Sequence, residues 1–245
     1  MTDFANILFS GRCNAACPLC IGRQVDPRRN QDNLDTYPPR GLDALTRLIA
    51  EQGIRQVVFS GTDTDPLLYR HASRLLRRLR WELPPGTKFS LHTNGRLALR
   101  QMDLLNQFDR ACLSLPSFDP ATYQEMMGVP GVPDLEAILG GARIPVKLSC
   151  LVTEANAGEM RAYLAHARAL GIRRAVLRQP FGASLPWEAR LPLTELGWQP
   201  RPAYRGNAVF DFRGMEVTLW DFEQTASTSL NLFSSGEISR DYLLV

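Results

Sequence analysis

The sequence predicts an α/β protein: a partial (β/α)6 TIM-like barrel over residues 1–180, followed by a linker and a small antiparallel β extension over 181–245. Three observations carry that expectation. Short β-rich runs alternate with amphipathic helical stripes as far as Arg178, the pattern of parallel βα units. Each expected strand has one apolar face and one that turns polar toward its C-terminal end. After Pro180 the alternation stops, and short runs flank tight-turn residues instead.

Phe4 to Ser10 reads as the first strand, and a cysteine-bearing loop follows it at once. Residues 22–40 are rich in Pro and Arg and read as an irregular excursion. Leu42, Leu45, Leu48 and Ile49 form a helical stripe that stops at Gly53. Gln56–Ser60 is expected as a strand, Leu67–Trp81 as a helix, Lys88–His92 as a strand and Leu97–Phe108 as a helix. Arg110–Leu115 follows as a strand, with helical pieces around Asp119–Met127 and Asp134–Gly141. Val146–Val152 is a strand, Ala155–Leu170 a helix and Arg173–Arg178 a sixth strand. Gln52-Gly53-Ile54-Arg55-Gln56-Val57-Val58 echoes Leu170-Gly171-Ile172-Arg173-Arg174-Ala175-Val176, each with a glycine ending a helix before a strand. Beyond the Pro- and Trp-rich stretch 180–203, Asn207–Asp211 and Met215–Trp220 flank Phe212-Arg213-Gly214 as one hairpin. Leu230–Phe233 and Glu237–Leu244 flank Ser234-Ser235-Gly236 as a second.

Strand phase assigns an inner face. Val57, Phe59, Phe89, Leu91, Leu113, Leu148, Ala175 and Leu177 face helices. Ser60, His92, Cys112, Ser114, Lys147, Ser149 and Arg178 face the other way. A closed eight-stranded barrel fills its interior with branched apolar side chains. A polar interior suggests an open barrel that holds a polar ligand near the C-terminal strand ends, where the cysteine loop also lies.

Composition narrows the function. The 245 residues are 44% hydrophobic and 22% charged, an ordinary globular balance. A formal charge of +3 makes no electrostatic case for nucleic acid. No stretch is long or apolar enough to span a bilayer. Met1-Thr2-Asp3 has no basic n-region, which argues against a secretory signal. Five cysteines, three of them clustered, suit a reducing compartment and a metal site rather than a disulfide framework, so the expected location is the cytoplasm.

The strong signal is Cys13-x3-Cys17-x2-Cys20, with Asn14 after the first cysteine. Three thiolates on one loop can hold three irons of a 4Fe–4S cluster and leave the fourth open. Zinc, the alternative, wants four protein ligands, and no fourth Cys or His lies nearby. With six βα units behind it, this motif resembles the radical S-adenosylmethionine (radical SAM) superfamily. The resemblance implies a 4Fe–4S cluster on Cys13, Cys17 and Cys20 whose open iron chelates SAM. One electron then cleaves SAM to a 5′-deoxyadenosyl radical, which takes a hydrogen atom from a substrate. It also implies an electron donor such as flavodoxin or ferredoxin. Two departures mark an atypical member: Leu19 stands where an aromatic is frequent, and Phe59-Ser60-Gly61-Thr62-Asp63-Thr64-Asp65-Pro66 replaces a Gly-Gly-Glu-Pro-like run.

By that resemblance Ser60, Gly61 and Thr62 are candidates for SAM contact, although Asp65-Pro66 also suits the start of a helix. Thr93 and Asn94 belong to a Thr-Asn-Gly run frequent at the end of the third strand, although Asn-Gly turns unaided. Ser114 and Ser149 stand where the family contacts the SAM ribose or carboxylate, and Arg178 could pair with the SAM carboxylate or a substrate anion. His92 is the one histidine expected in the site, as proton acceptor or substrate ligand; His71 and His166 read as surface residues. Arg23, Arg28 and Arg29 flank the cysteines and suit a substrate phosphate or carboxylate. Arg70, Arg74, Arg77, Arg78 and Arg80 make a basic helix, for RNA or for solvent. Trp220, Phe222 and Tyr204 either cap the open barrel or form the core of the extension.

The function expected is radical chemistry on a small organic molecule, an anion among the candidates, in cofactor or natural-product assembly. A peptide or RNA substrate is one alternative. A non-enzymatic iron–sulfur redox or sensor protein is another.

Overall fold

The computed structural model describes residues 2–182, 185–242 and 244; Met1, residues 183 and 184 of the expected linker, Leu243 of the expected second hairpin and Val245 lie outside them. Six strands fall where the pattern puts them: β1 (Phe4–Phe9), β2 (Gln56–Gly61), β3 (Lys88–Thr93), β4 (Arg110–Ser114), β5 (Val146–Leu151) and β6 (Arg174–Arg178). They pair in sequence order, each parallel to the next.

The C-terminal part also joins this sheet. β7 (Gln199–Tyr204), β8 (Asn207–Phe212) and β9 (Met215–Trp220) form an antiparallel meander whose last strand lies parallel to β6. β10 (Ser229–Leu232) lies parallel to β1, and β11 (Ile238–Ser239) folds back on it. The order is β11-β10-β1-β2-β3-β4-β5-β6-β9-β8-β7. β9 and β10 do not pair, so the sheet stays open as a partial barrel. Both expected hairpins exist, and each extends one edge of the main sheet; residue 180 falls just after β6.

Helices cover the outer face: α1 (Leu42–Glu51), α2 (Ala72–Glu82), α3 (Met102–Leu105), α4 (Pro120–Met127), α5 (Leu135–Gly141) and α6 (Met160–Ala169), with a short α7 (Trp187–Arg190) in the linker. Their apolar stripes (Leu45 and Ile49, Leu75 and Leu79, Tyr163 and Leu164) share one core with Ile7, Phe9, Val57, Phe59, Leu91, Leu113 and Leu148. Asp119 and Asp134 cap α4 and α5 by accepting bonds from main-chain N–H groups two and three residues on.

Two helices are shorter than periodicity predicts. The Leu67–Trp81 helix breaks into a 3-10 turn, Pro66–Leu68, and α2. Tyr69 between them is extended and buried; its ring lies 4.5 Å from Phe9 and its hydroxyl donates to the Thr36 carbonyl at 2.9 Å. Leu97–Phe108 keeps regular helix only at α3, because the Gln101 amide donates to the Leu67 carbonyl and its backbone is non-helical.

The inner face is buried without helices over it: Asn6, Leu8, Val58, Ser90, Cys112, Thr218 and Asn231 are all shielded from water. The sheet curves around this face, and the C-terminal tail covers part of it: Tyr242 and Leu244 pack against Leu8, Val25 and Phe233, and Leu244 bridges to Val25. Cys112 lies on this face and Cys150 under the helices, as strand phase predicts.

Candidate active site

The cysteine loop follows β1 and is gripped from three sides. Residues beyond it form one clamp: the Asn30 amide donates to the Gly22 carbonyl at 3.2 Å, and the Thr62 hydroxyl bonds both the Phe9 carbonyl and Asn30. The turn after β2 is a second clamp, through the Gly11 N–H on the Asp63 carboxylate at 3.2 Å. The end of α4 is the third: Ala16 N–H donates to the Met127 carbonyl at 2.9 Å, and Cys17 Sγ lies 3.8 Å from Met127 Sδ.

Cys13, Cys17 and Cys20 are half-buried and unpaired. Burial first, then the neighbouring Cys20 and Cys13 thiols, pushes Cys17 up to about 11. Cys13 is raised mainly by burial, with contributions from Asp65 and Cys20. The three sulfurs therefore sit within electrostatic range of one another, and burial favours the protonated form of Cys13 and Cys17. Among the described residues no three His, Cys, Asp or Glu side chains are grouped to hold a single metal ion. A cubane spreads its ligands over several irons, so this donor set fits a cluster better than zinc.

Asp65 organises the surroundings and is the residue whose role here the sequence least reveals. It caps the 3-10 turn as expected, accepting from Leu67 N–H at 2.9 Å. The same carboxylate accepts from Thr93 Oγ1 at 2.8 and 3.0 Å and from Asn94 N–H at 2.6 Å. Burial raises its pKa and these bonds oppose the rise. Asn94 passes the constraint on: its amide donates to Asn14 Oδ1 at 2.7 Å, and Asn14 Oδ1 accepts from Cys13 Sγ at 3.6 Å. One chain of contacts thus runs from Asp65 to a candidate ligand.

The expected SAM-contacting residues divide. The Thr62 and Thr93 hydroxyls are committed to Phe9, Asn30 and Asp65. Gly61 lies in a turn so tight that a Cβ there would meet the Thr64 carbonyl oxygen at 1.7 Å, which makes it a shape requirement. Ser60 is half-buried on the inner face. Ser114 and Ser149 are register partners on that face, Ser114 exposed and Ser149 buried. Arg178 ends β6 beside Trp220, its guanidinium carbon 6.0 Å from the ring centre.

Several buried polar atoms near the C-terminal strand ends have no partner: Ser10 Oγ, Asn14 Nδ2, Arg178 Nε and Trp220 Nε1. Buried donors left unmade are costly, so such a set suits a polar ligand. His92 lies deeper on the inner face. Burial, then Lys147, Arg178 and Arg110, holds its pKa well below the ordinary value, so the imidazole is neutral.

Two of the three loop arginines, Arg28 and Arg29, are a correction. Arg28 pairs with Asp26 at 2.7 Å, and Arg29 bridges Asp26 at 2.5 Å and Glu237 at 2.7 Å. They tie the loop to the turn before β11 instead of facing a substrate. Just before α2, Arg70 pairs with Asp35; on α2, Arg78 pairs with Asp43 and Glu82 and Arg80 with Asp109, while Arg74 lies over Tyr37. His166 packs on Phe118 and His71 sits near Asp35 at the surface. Phe222 stacks edge-on against Phe181 at 5.8 Å beside the strand ends. No helix among the described residues is long and apolar enough to cross a membrane.

The chain is similar to several known proteins. A probable GTP 3′,8-cyclase of Methanosarcina acetivorans is 26% identical over 174 residues, 67% of this chain and 50% of that protein. A GTP 3′,8-cyclase of a Synechococcus species is 31% identical over 126 residues, 50% of this chain and 34% of that protein. The chain spans at most half the length of these curated relatives. Among solved structures, coproporphyrinogen III oxidase of Escherichia coli, a radical SAM enzyme, superposes with a TM-score of 0.56 at 17% identity, over 95% of this chain and 63% of that one. SuiB of Streptococcus suis with bound S-adenosylmethionine gives 0.58 at 17% identity, over 80% and 43%. These two likenesses are of fold. Members of the superfamily use a 4Fe–4S cluster and SAM, and the match to its description runs from residue 7 to residue 144, more than half of the chain. This chain belongs to the radical SAM superfamily of enzymes.

Proposed function

We propose that the chain uses Cys13, Cys17 and Cys20 to hold the cluster and begins hydrogen abstraction on a small organic substrate at the inner face of the sheet. The observation that carries this reading is the meeting of three half-buried thiols with unpartnered buried polar atoms at one end of the parallel strands. When bound, the cluster supplies an electron that cleaves SAM to the 5′-deoxyadenosyl radical.

The chain's own residues set the stage. Asp65 and Asn94 fix Asn14 beside Cys13. Ser10 Oγ and Asn14 Nδ2 remain to meet polar groups of SAM, and Gly61 keeps the backbone of its turn compact enough for a ligand to approach. Arg178 and Trp220 line the opposite side. The buried inner face keeps water from a reactive intermediate. A reducing, cytoplasmic setting and an electron donor such as flavodoxin or ferredoxin belong to the same proposal.

A small substrate is favoured over RNA because four of the five arginines of this basic stretch, Arg70, Arg74, Arg78 and Arg80, are engaged by acidic or aromatic neighbours. The curated relatives are named for GTP, itself a small molecule, which supports the same choice. A redox sensor has no use for unpartnered donors around the cysteine loop.

Anaerobic reconstitution with iron, sulfide, SAM and dithionite tests the reading. The expected result is 5′-deoxyadenosine from the wild-type protein, with both product and iron lost in Cys17→Ala. An intact cluster that never yields 5′-deoxyadenosine would overturn it.

A further inference from the structure

The C-terminal tail meets the cysteine loop at Val25, five residues past Cys20. Val25 is buried and pairs antiparallel with Leu244, and both pack with Tyr242 on Leu8 and Phe233. Leu8 and Phe233 are neighbours on the inner face, because each follows a member of the register pair Ile7 and Leu232. The link from Val25 back to Cys20 is short and stiff. Ile21–Gln24 is a 3-10 helix with Cys20 at its N-terminal cap. Arg23 N–H donates to the Cys20 carbonyl at 3.1 Å and Val25 N–H to the Gly22 carbonyl at 3.4 Å. Gly22 is wedged against Thr62: a Cβ there would meet the Thr62 carbonyl oxygen at 2.3 Å, and the same oxygen accepts from Cys20 Sγ at 3.5 Å. A shift at Val25 is thus passed to the third cysteine.

The hold on Tyr242 and Leu244 is light. Leu8, Val25 and Phe233 form a small apolar group separate from the main core. Among the described residues the main-chain pairing is one bridge. The Asn231 amide reaches the Arg240 and Asp241 carbonyls only at 3.4 Å, and Arg240 touches Gln52 at 3.3 Å on the surface. The turn before this stretch is tied down better, by Ser234 Oγ to Gln31 N–H at 2.8 Å and by Glu237 to Arg29 at 2.7 Å. A segment with few buried contacts opens at a lower free energy than the whole fold. Opening here uncovers one side of the barrel interior and frees Val25 at the same time.

We propose that Tyr242 and Leu244 form a clasp over the barrel interior that is coupled to the cysteine loop: a cluster on Cys13, Cys17 and Cys20 seats the clasp, and unseating the clasp loosens the cluster. The proposal rests on the reading that these cysteines hold a cluster. Val25 is the shared part. With Cys20 held, the 3-10 helix is fixed, and Val25 stands ready for Leu244. With Cys20 free, Leu244 must order that helix as it docks, and docking is weaker by that cost. Coupling of this kind is reciprocal, so whatever the cluster contributes to the clasp the clasp returns to the cluster. A loaded loop then closes this side of the interior, and the radical is formed in an enclosed space.

Hydrogen exchange read by mass spectrometry, on the full chain before and after anaerobic reconstitution with iron and sulfide, tests this. Peptides covering Glu237 to Tyr242 should exchange faster than those of β1 and β4 in both samples, and should slow by about fivefold or more on reconstitution. Peptides of β7 and β8 should not respond. In the reciprocal arm an iron chelator is added to the reconstituted protein. Tyr242→Ala and Leu244→Asp should each speed iron loss by about the same factor, while β4 exchange stays at the wild-type rate and shows the damage to be local. Tyr242→Phe should restore retention, and Trp81→Ala, at a position 90% exposed on α2, should match the wild type. A clasp that exchanges as slowly as β4, or alike with and without a retained cluster, overturns the coupling, as do folded Tyr242→Ala and Leu244→Asp proteins that keep iron like the wild type. Following 5′-deoxyadenosine separates the readings. SAM cleavage with an indifferent clasp sinks the clasp alone, and a clasp that responds to a cluster unable to cleave SAM sinks the radical reading alone. A wild-type chain that takes up no cluster sinks both.

Discussion

His92 sits among cations on a face shielded from water, and both conditions oppose its protonation. The unfolded chain offers no such resistance, and its imidazole titrates near about 6.5. As pH falls through that value the unfolded state gains a proton that the folded state refuses, so stability falls with it. Urea unfolding should therefore give a lower midpoint at about pH 5.5 than at about pH 7.5. His92→Gln should narrow that difference; an unchanged difference would mean that His92 is not buried in its neutral form. Residue identity alone made His92 visible, because a histidine on the inner phase of a strand has few structural uses. Thr62 and Thr93 were less legible. Their hydroxyls go to Asn30 and Asp65, residues about thirty positions distant in the chain, and no local pattern encodes such a partner. Asp65 is the same case in reverse: its capping role is local and readable, while its grip on Thr93 and Asn94 exists only after β2 and β3 have paired.

Helix α4 looks like ordinary outer covering, yet its end reaches the cysteine loop. Gly128 closes it in the left-handed region, with φ of 67°, and a Cβ there would lie 2.4 Å from the Ala16 carbonyl oxygen. Glycine answers both demands, the backbone angle and the close approach. Gly128→Ala should lower stability by about 1–3 kcal/mol and shift the loop that carries Cys17. Thermal unfolding and iron content after reconstitution measure the two effects, and a variant equal to the wild type in both would dissociate α4 from the loop. A glycine after a helical run is readable as a cap. What it touches is not, because Ala16 lies more than a hundred residues earlier. The same limit explains the shortened helices. Periodicity found their buried residues correctly, but Tyr69 and Gln101 take tertiary partners that cost the backbone its helical turns.

At the scale of the whole molecule the parallel core was legible because each βα unit carries its own alternation and punctuation. The destination of the last hairpins was not. β9 and β10 join opposite edges of the sheet, and edge pairing depends on exposed main-chain groups that any strand can offer. A side-chain clue lies at one edge: Asn6 on β1 donates to Asn231 on β10 at 2.7 Å, with both side chains buried. Asn231→Leu should cost about 1–3 kcal/mol by stranding Asn6, and the double change Asn6→Leu with Asn231→Leu should recover part of it. Additive losses in a denaturant double-mutant cycle would deny the pair any coupling. This seam also bears on biogenesis. The strand that leads directly into the cysteine loop gains its second neighbour only from residues near 230, so nearly all of the described chain must leave the ribosome before β1 is sealed on both sides. Until then its edge is open, its asparagine is unpaired and the loop hangs from a half-built strand. Cluster insertion is therefore expected only once residues near 230 have been made, and a nascent chain stalled before them would carry the three cysteines on a strand with one open edge.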